Sequence, residues 1–160
     1  MTTMSMLGEV RPEHDCPDEL VLLHYLRSFR HPVLEVWAAC TEPRQLVRWF
    51  GAVSGTGADL VIEPDDGPIP GPLTVHIDHC SAPNDLHARV DDGTVELHLS
   101  QVGVVTNLEL VRRHVRPEDA ATIGPRWQYL LDRFTAYLNV HPMPHWHDYT
   151  SLAGSVQFQV

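Results

Sequence analysis

Residues 29–51, FRHPVLEVWAACTEPRQLVRWFG, constrain the fold more than any other part of the chain. They read as the end of a strand, then two short helices, closed by an aromatic-glycine stop. Pro32 fixes φ at a value suited to a first helical turn, and Val33, Val36 and Trp37 then recur at helical spacing. Thr41 is expected to cap a second helix. With Pro43 just inside that helix, Thr41 or Glu42 is placed to accept from its first free amides. Leu46, Val47, Trp49 and Phe50 give it its apolar positions up to Gly51.

The flanking sequence supplies strands on both sides. In ELVLLHYLRSF, residues 19–29, Val21, Leu23 and Tyr25 alternate with Leu22, His24 and Leu26, which suits a strand covered on one face and partly on the other. Downstream, SGTGADL reads as a turn-rich lead into a strand at 59–63, and DDGPIPGP as a second turn. Leu73, Val75 and Ile77 alternate with Thr74, His76 and Asp78. Further strands are expected at 86–90, 94–100 and 104–111, the first two joined by a tight hairpin at Asp92-Gly93. From Pro117 the period changes to that of a helix, with an acidic start, a break at Gly124-Pro125, and Trp127, Leu130, Leu131, Phe134 and Leu138 on one face. That face must be buried, and the concave side of an antiparallel sheet is the one large surface on offer. The pattern is α+β.

Length and composition set the frame. The 160 residues fit one domain, long enough to bury roughly two-thirds of its unfolded surface without disulfides or metals. Residues 1–17 lack periodicity and read as a flexible arm, 18–140 as the domain, and 141–160 as a C-terminal extension packed on the domain or on a partner. The extension ends in an alternating run at 156–160, which suits an edge strand or a homodimer contact. A net charge of −10 argues against a nucleic-acid partner, since phosphate binding needs a basic face. Arg112, Arg113 and Arg116 with His114 read as the solvated end of a strand. Cys16, Cys40 and Cys80 show no paired spacing, so free thiols and a cytoplasmic setting are expected. No segment has signal-peptide or membrane-spanning character, and no membrane role is expected.

The residues at the two ends of the domain carry a resemblance. Arg27-Ser28-Phe29, His31-Pro32-Val33, Glu35-Val36-Trp37, Thr41-Glu42-Pro43 and Trp49-Phe50-Gly51, with Gly124-Pro125-Arg126-Trp127 and the run to Phe134, resemble one family. It comprises the single-domain homologues of the activator of the ninety-kilodalton heat-shock chaperone's ATPase, in the START-like (SRPBCC, Bet v 1-like) superfamily of helix-grip proteins. The resemblance implies a curved antiparallel sheet of about six strands, two short helices after the first strand, and a long C-terminal helix across the concave face. It also implies a cavity for a small hydrophobic ligand, walled by Trp127, Leu130, Leu131 and Phe134, with Trp49 and Phe50 near its mouth.

Three functions are carried forward from this. A binding domain for a small hydrophobic molecule or a protein partner stands first, and an enzyme of the polyketide cyclase, aromatase or hydrolase kind is its rival. A co-chaperone role is the third. Catalysis would need a His or carboxylate within reach of a reacting proton, and no catalytic motif or cofactor is read from the sequence. His76, Glu96 and His98 are the strand groups that would face the cavity if register allows. His98 ranks first, either as a polar anchor or on the solvated face. Among metal-type clusters, His141, His145 and His147 with Asp148 form the densest in sequence. Pro142 and Pro144 preclude a helix that would align the first two rings, so no specific metal site is expected there.

Overall fold

Strand β2 (Val21–Phe29) shows how alternation builds the sheet: Val21, Leu23, Tyr25 and Phe29 are buried on one face, while Leu26 and Ser28 on the other are exposed. The computed structural model describes residues 9–12, 20–64, 69, 71–90 and 93–149. Its remaining strands are β1 (Glu9–Pro12), β3 (Gly51–Thr56), β4 (Asp59–Pro64), β5 (Leu73–Ser81), β6 (Asp85–Val90), β7 (Gly93–Val102) and β8 (Val105–Val115). They form one antiparallel sheet in the order β1-β2-β8-β7-β6-β5-β4-β3. Bulges between Val21 and Leu23 and between Ile77 and His79 bend its strands.

Eight strands stand among the described residues where the sequence suggests about six. The two additions are both edge strands. β3 escapes notice because Gly51–Thr56 has a single large apolar residue, Val53, and is mostly exposed, so no period-2 signal exists to read. β1 pairs only with β2 and occupies part of the segment expected to be a flexible arm. The hairpin expected at Asp92-Gly93 is present as the pairing of Val90 with Gly93. The DDGPIPGP turn lies mostly outside the described residues, and the alternating run at 156–160 wholly so.

Between β2 and β3 the chain crosses from one end of the sheet to the other, and helices α1 (Val33–Thr41) and α2 (Pro43–Trp49) make the crossing. Pro32 and Glu42 precede them, each in extended conformation. Thr41 does not cap α2. It is the last residue of α1, and its hydroxyl donates back to the Trp37 carbonyl at 2.8 Å. Leu46 and Trp49 turn inward from α2 and Val47 outward. Gly51 ends this unit for a steric reason: a Cβ there would lie 2.0 Å from the Glu63 carbonyl oxygen on the paired strand β4.

Helix α3 (Ala120–Asn139) lies on the concave face and runs unbroken through Gly124-Pro125, where the sequence suggests a break. Proline deletes a backbone donor and costs stability inside a helix. Here tertiary contacts offset that cost: Pro125 is fully buried, and the buried Tyr25 hydroxyl donates to the Gly124 carbonyl at 2.6 Å. Further along, Phe134 meets Phe29 edge-on at 5.4 Å and Trp49 at 4.9 Å, tying α3 to β2 and α2 together. Arg133, also buried, donates from Nε to the Trp49 carbonyl at 2.6 Å, satisfying a carbonyl at the C-terminus of α2.

Beyond α3, a single 3₁₀ turn (Trp146–Tyr149) folds back on the helix. Tyr149 donates to Asp132 at 2.5 Å, and Tyr129 stands edge-on to both Trp146 and Tyr149. At the end of β8, Arg112 is buried on the inner face beside Gly93 and Arg113 pairs with Glu96. The basic cluster is therefore not a wholly solvated strand end. Among the described residues no helix is long and apolar enough to cross a membrane.

Candidate functional site: an apolar cavity under the long helix

A cavity of about 340 Å³ lies between α3, the α1–α2 pair and the inner face of strands β4 to β8. Strand alternation supplies most of its wall. β6 contributes Leu86, Ala88 and Val90, every second residue, and β7 contributes Val95 and Leu97 in the same way. From β5 come Leu73, Val75 and Ile77, after which the bulge changes the rule. One extra residue, Asp78, sits between the pair Ile77–Ala88 and the pair His79–His87, so Cys80 rather than His79 turns toward the cavity. Cys80 is exposed as well as lining, so the cavity reaches the surface at that end of β5.

The helices close the other side with Trp37, Cys40, Thr41, Leu46, Trp49 and Phe50 below and Trp127, Leu131 and Phe134 above. Among the described residues, no charged side chain lines the cavity. Its few polar groups are largely committed elsewhere: the Thr41 hydroxyl to Trp37, and the Trp49 indole N–H to the Ala39 carbonyl at 2.9 Å. Burial pushes the Cys40 thiol well above its usual range, which keeps it protonated and a poor nucleophile.

Of the residues singled out from sequence, Trp49, Phe50, Trp127, Leu131 and Phe134 line the cavity. Trp49 and Phe50 are buried in its wall rather than at a mouth. Leu130 is in the core but does not line it. His98 is on the opposite face of the sheet, because its neighbours Leu97 and Leu99 turn inward. His76 and Glu96 also face outward, His76 held by Asp59 at 2.5 Å and Glu96 by Arg113 at 2.6 Å. In the tail, the ring nitrogens of His141, His145 and His147 do not converge. The one converging set of metal-type ligands among the described residues is His87, Glu96 and His98. The strand residues expected at the cavity were the polar His76, Glu96 and His98, whereas the strands contribute their apolar alternates, with Ala88 and Cys80 among them, because the register turns the other face inward.

Solved structures share this fold. CalU16 from Micromonospora echinospora matches over 92% of this chain and 92% of its own, at 23% identity and a TM-score of 0.72. The fold is the helix grip. A conserved protein of unknown function from Enterococcus faecalis, EF2215, matches the same helix grip over 96% of this chain and 90% of its own, at 15% identity and a TM-score of 0.74. DynU16, a protein in the dynemicin biosynthetic locus, aligns with 78% of this chain at 23% identity and a TM-score of 0.66. The aligned region spans half of DynU16's length. No protein-family model and no curated protein matches the chain. The helix-grip architecture expected from the Trp49-Phe50-Gly51 and Gly124-Pro125 motifs is thus present.

Proposed function

We propose that this START-like helix-grip domain binds a small, uncharged, apolar molecule in the cavity between α3 and the sheet. One observation carries the reading: a space of about 340 Å³ is walled almost entirely by apolar side chains and has no charged group among its described lining residues. Such a wall offers favourable transfer of apolar surface from water, on the order of 25 cal/mol per Å² buried, and no partner for a buried charge. DynU16's place in a biosynthetic locus supports a biosynthetic product or intermediate as the class of molecule.

The same wall disfavours the rival reading. Cyclase-type proton transfer needs an imidazole or carboxylate near the reacting atom, and the groups lining this cavity supply neither. The finer reading, a homologue of the chaperone ATPase activator, draws on motifs whose residues serve the scaffold here. Gly51 permits the close approach to β4, and Trp49 anchors α2 on α1 and α3. Those roles support a shared fold.

Native mass spectrometry of protein purified from its own host tests the reading, together with titration of a neutral apolar fluorophore that brightens in dry sites. Ala88→Phe puts a ring into the cavity from the β6 wall and is expected to weaken fluorophore binding at least about tenfold, equivalent to ~1.4 kcal/mol. Equal binding by this variant and the parent, with no co-purified molecule, would remove the proposal.

A further inference from the structure

We propose that the outer face of the sheet carries a transition-metal site formed by His87 of β6 with Glu96 and His98 of β7. It lies on the side of the sheet away from the cavity and is independent of the ligand proposed there. The register makes it. β6 and β7 pair His87 with Glu96 and Asp85 with His98, and the inward turn of Leu86, Ala88 and Leu97 sends all four of these polar side chains outward. Residues directly opposite or diagonal across such a pair are within reach of one another. One ligand atom from each of His87, Glu96 and His98 lies within 4.8 Å of the other two.

The surrounding groups hold these ligands as a metal site requires. Asp85 takes a short hydrogen bond from Nδ1 of His98. An ionised carboxylate only accepts, so Nδ1 is the donor, and in the neutral ring that leaves the lone pair on Nε2. That Nε2 is 3.9 Å from Oε1 of Glu96. Carboxylate, histidine and metal in this order form a recurrent arrangement that fixes the tautomer and raises the basicity of the ring. Glu96 is oriented in turn by Arg113, whose Nε donates to Oε2 at 2.6 Å, while Nη2 is 3.5 Å from Oε1. His87 stands edge-on between His79 and His98, with ring centroids 5.4 and 5.6 Å away. The β5 bulge that turns Cys80 into the cavity is what brings His79 to this row.

Two imidazoles and one carboxylate select a borderline divalent ion such as Zn²⁺, Ni²⁺ or Cu²⁺ over Mg²⁺ or Ca²⁺, which prefer all-oxygen shells. The Arg113 charge beside Glu96 strengthens that preference, since it weakens a site that relies on carboxylate charge more than one that relies on imidazole nitrogen. Metal–ligand bonds of about 2.0–2.1 Å need the three atoms to close to roughly 3.3 Å of one another. All three side chains are half-buried on an open face, and the proposal requires side-chain rotation there to close the remaining gap. Three protein ligands leave a coordination position for water.

The test uses the full, untagged chain after chelator treatment, titrated calorimetrically with ZnCl₂ and, in parallel, with MgCl₂. Binding of a single Zn²⁺ equivalent is expected, and no response to Mg²⁺. His87→Ala and His98→Ala should each weaken Zn²⁺ binding at least about tenfold, and Asp85→Asn about tenfold with the visible spectrum of the Co²⁺ form retained. A variant lacking His141, His145 and His147 should bind as the parent does. Circular dichroism checks that each variant folds. Unchanged affinity in His87→Ala and His98→Ala, or loss of the site in the tail variant, would overturn the proposal, as would the absence of any stoichiometric Zn²⁺ binding.

Discussion

Leu97 and His98 are neighbours in β7 and belong to different worlds. Leu97 is buried in the wall of an apolar cavity, and His98 sits among carboxylates and imidazoles on the outer face. The contrast extends over the whole sheet. The inner face and the helices on it are joined by close-packed rings and buried hydrogen bonds, while the outer face is a ladder of half-exposed pairs, His76–Asp59, Arg89–Asp78, Arg113–Glu96 and His98–Asp85. Stability therefore resides mainly on one face and charge chemistry on the other. Exposed ion pairs contribute little each, whereas buried apolar contacts contribute several kcal/mol per large side chain.

The strongest challenge to that contrast is Phe134→Ala, which deletes the ring that joins α3 to Phe29 and Trp49. A loss of about 3–5 kcal/mol in a urea titration is expected. Next in size is a matched pair in one strand. Leu97→Ala should cost about 2–4 kcal/mol and His98→Ala less than about 0.5, and comparable losses for the two would erase the distinction between faces.

Alkaline pH probes the buried groups alone. Burial raises the Tyr25 and Tyr149 hydroxyls above their ordinary value of 10.0, and the Cys40 thiol above 9.0, with the Asp132 hydrogen bond adding to the effect at Tyr149. In the unfolded chain these groups ionise at their ordinary values, so over this range the folded state holds more protons. Stability is then intact below about pH 9 and falls as pH rises, each group taking up to about 1.4 kcal/mol per pH unit. Thermal midpoints should be level up to about pH 9, and Cys40→Ala should delay the onset of the fall toward pH 10. A midpoint that holds steady to pH 11 would contradict the buried assignment. The smallest effect is expected on the outer face, where a double-mutant cycle on Glu96 and Arg113 should return a coupling of at most about 1 kcal/mol that shrinks in high salt.

How much of this was legible depended on whether a residue's neighbours in the chain decide its environment. The α1–α2 unit was readable because Pro32, Pro43 and Gly51 restrict the backbone locally and the tryptophans carry a helical period. The helix face holding Trp127, Leu131 and Phe134 was readable for the same reason. β3 was not, because an exposed edge strand needs no apolar alternation. The passage of α3 through Pro125 was not, because it depends on the burial of that proline in the core and on packing against β2, whose Tyr25 bonds the Gly124 carbonyl from 99 residues away in the chain. Arg112 was misjudged since its charge suggests solvent, while the register of β8 places it beside Gly93.

By itself the sequence determined an α+β chain with two short helices after its first long strand, a meander and a closing amphipathic helix, since those arise from local periodicity and backbone restriction. Only the tertiary structure decided which side of the sheet each polar residue occupies. A strand alternates its faces at every residue, so a single bulge at Asp78 is enough to exchange His79 and Cys80 between cavity and surface. The apolar wall and the imidazole row are consequences of that register, which pairing between distant strands fixes and no short stretch of sequence contains.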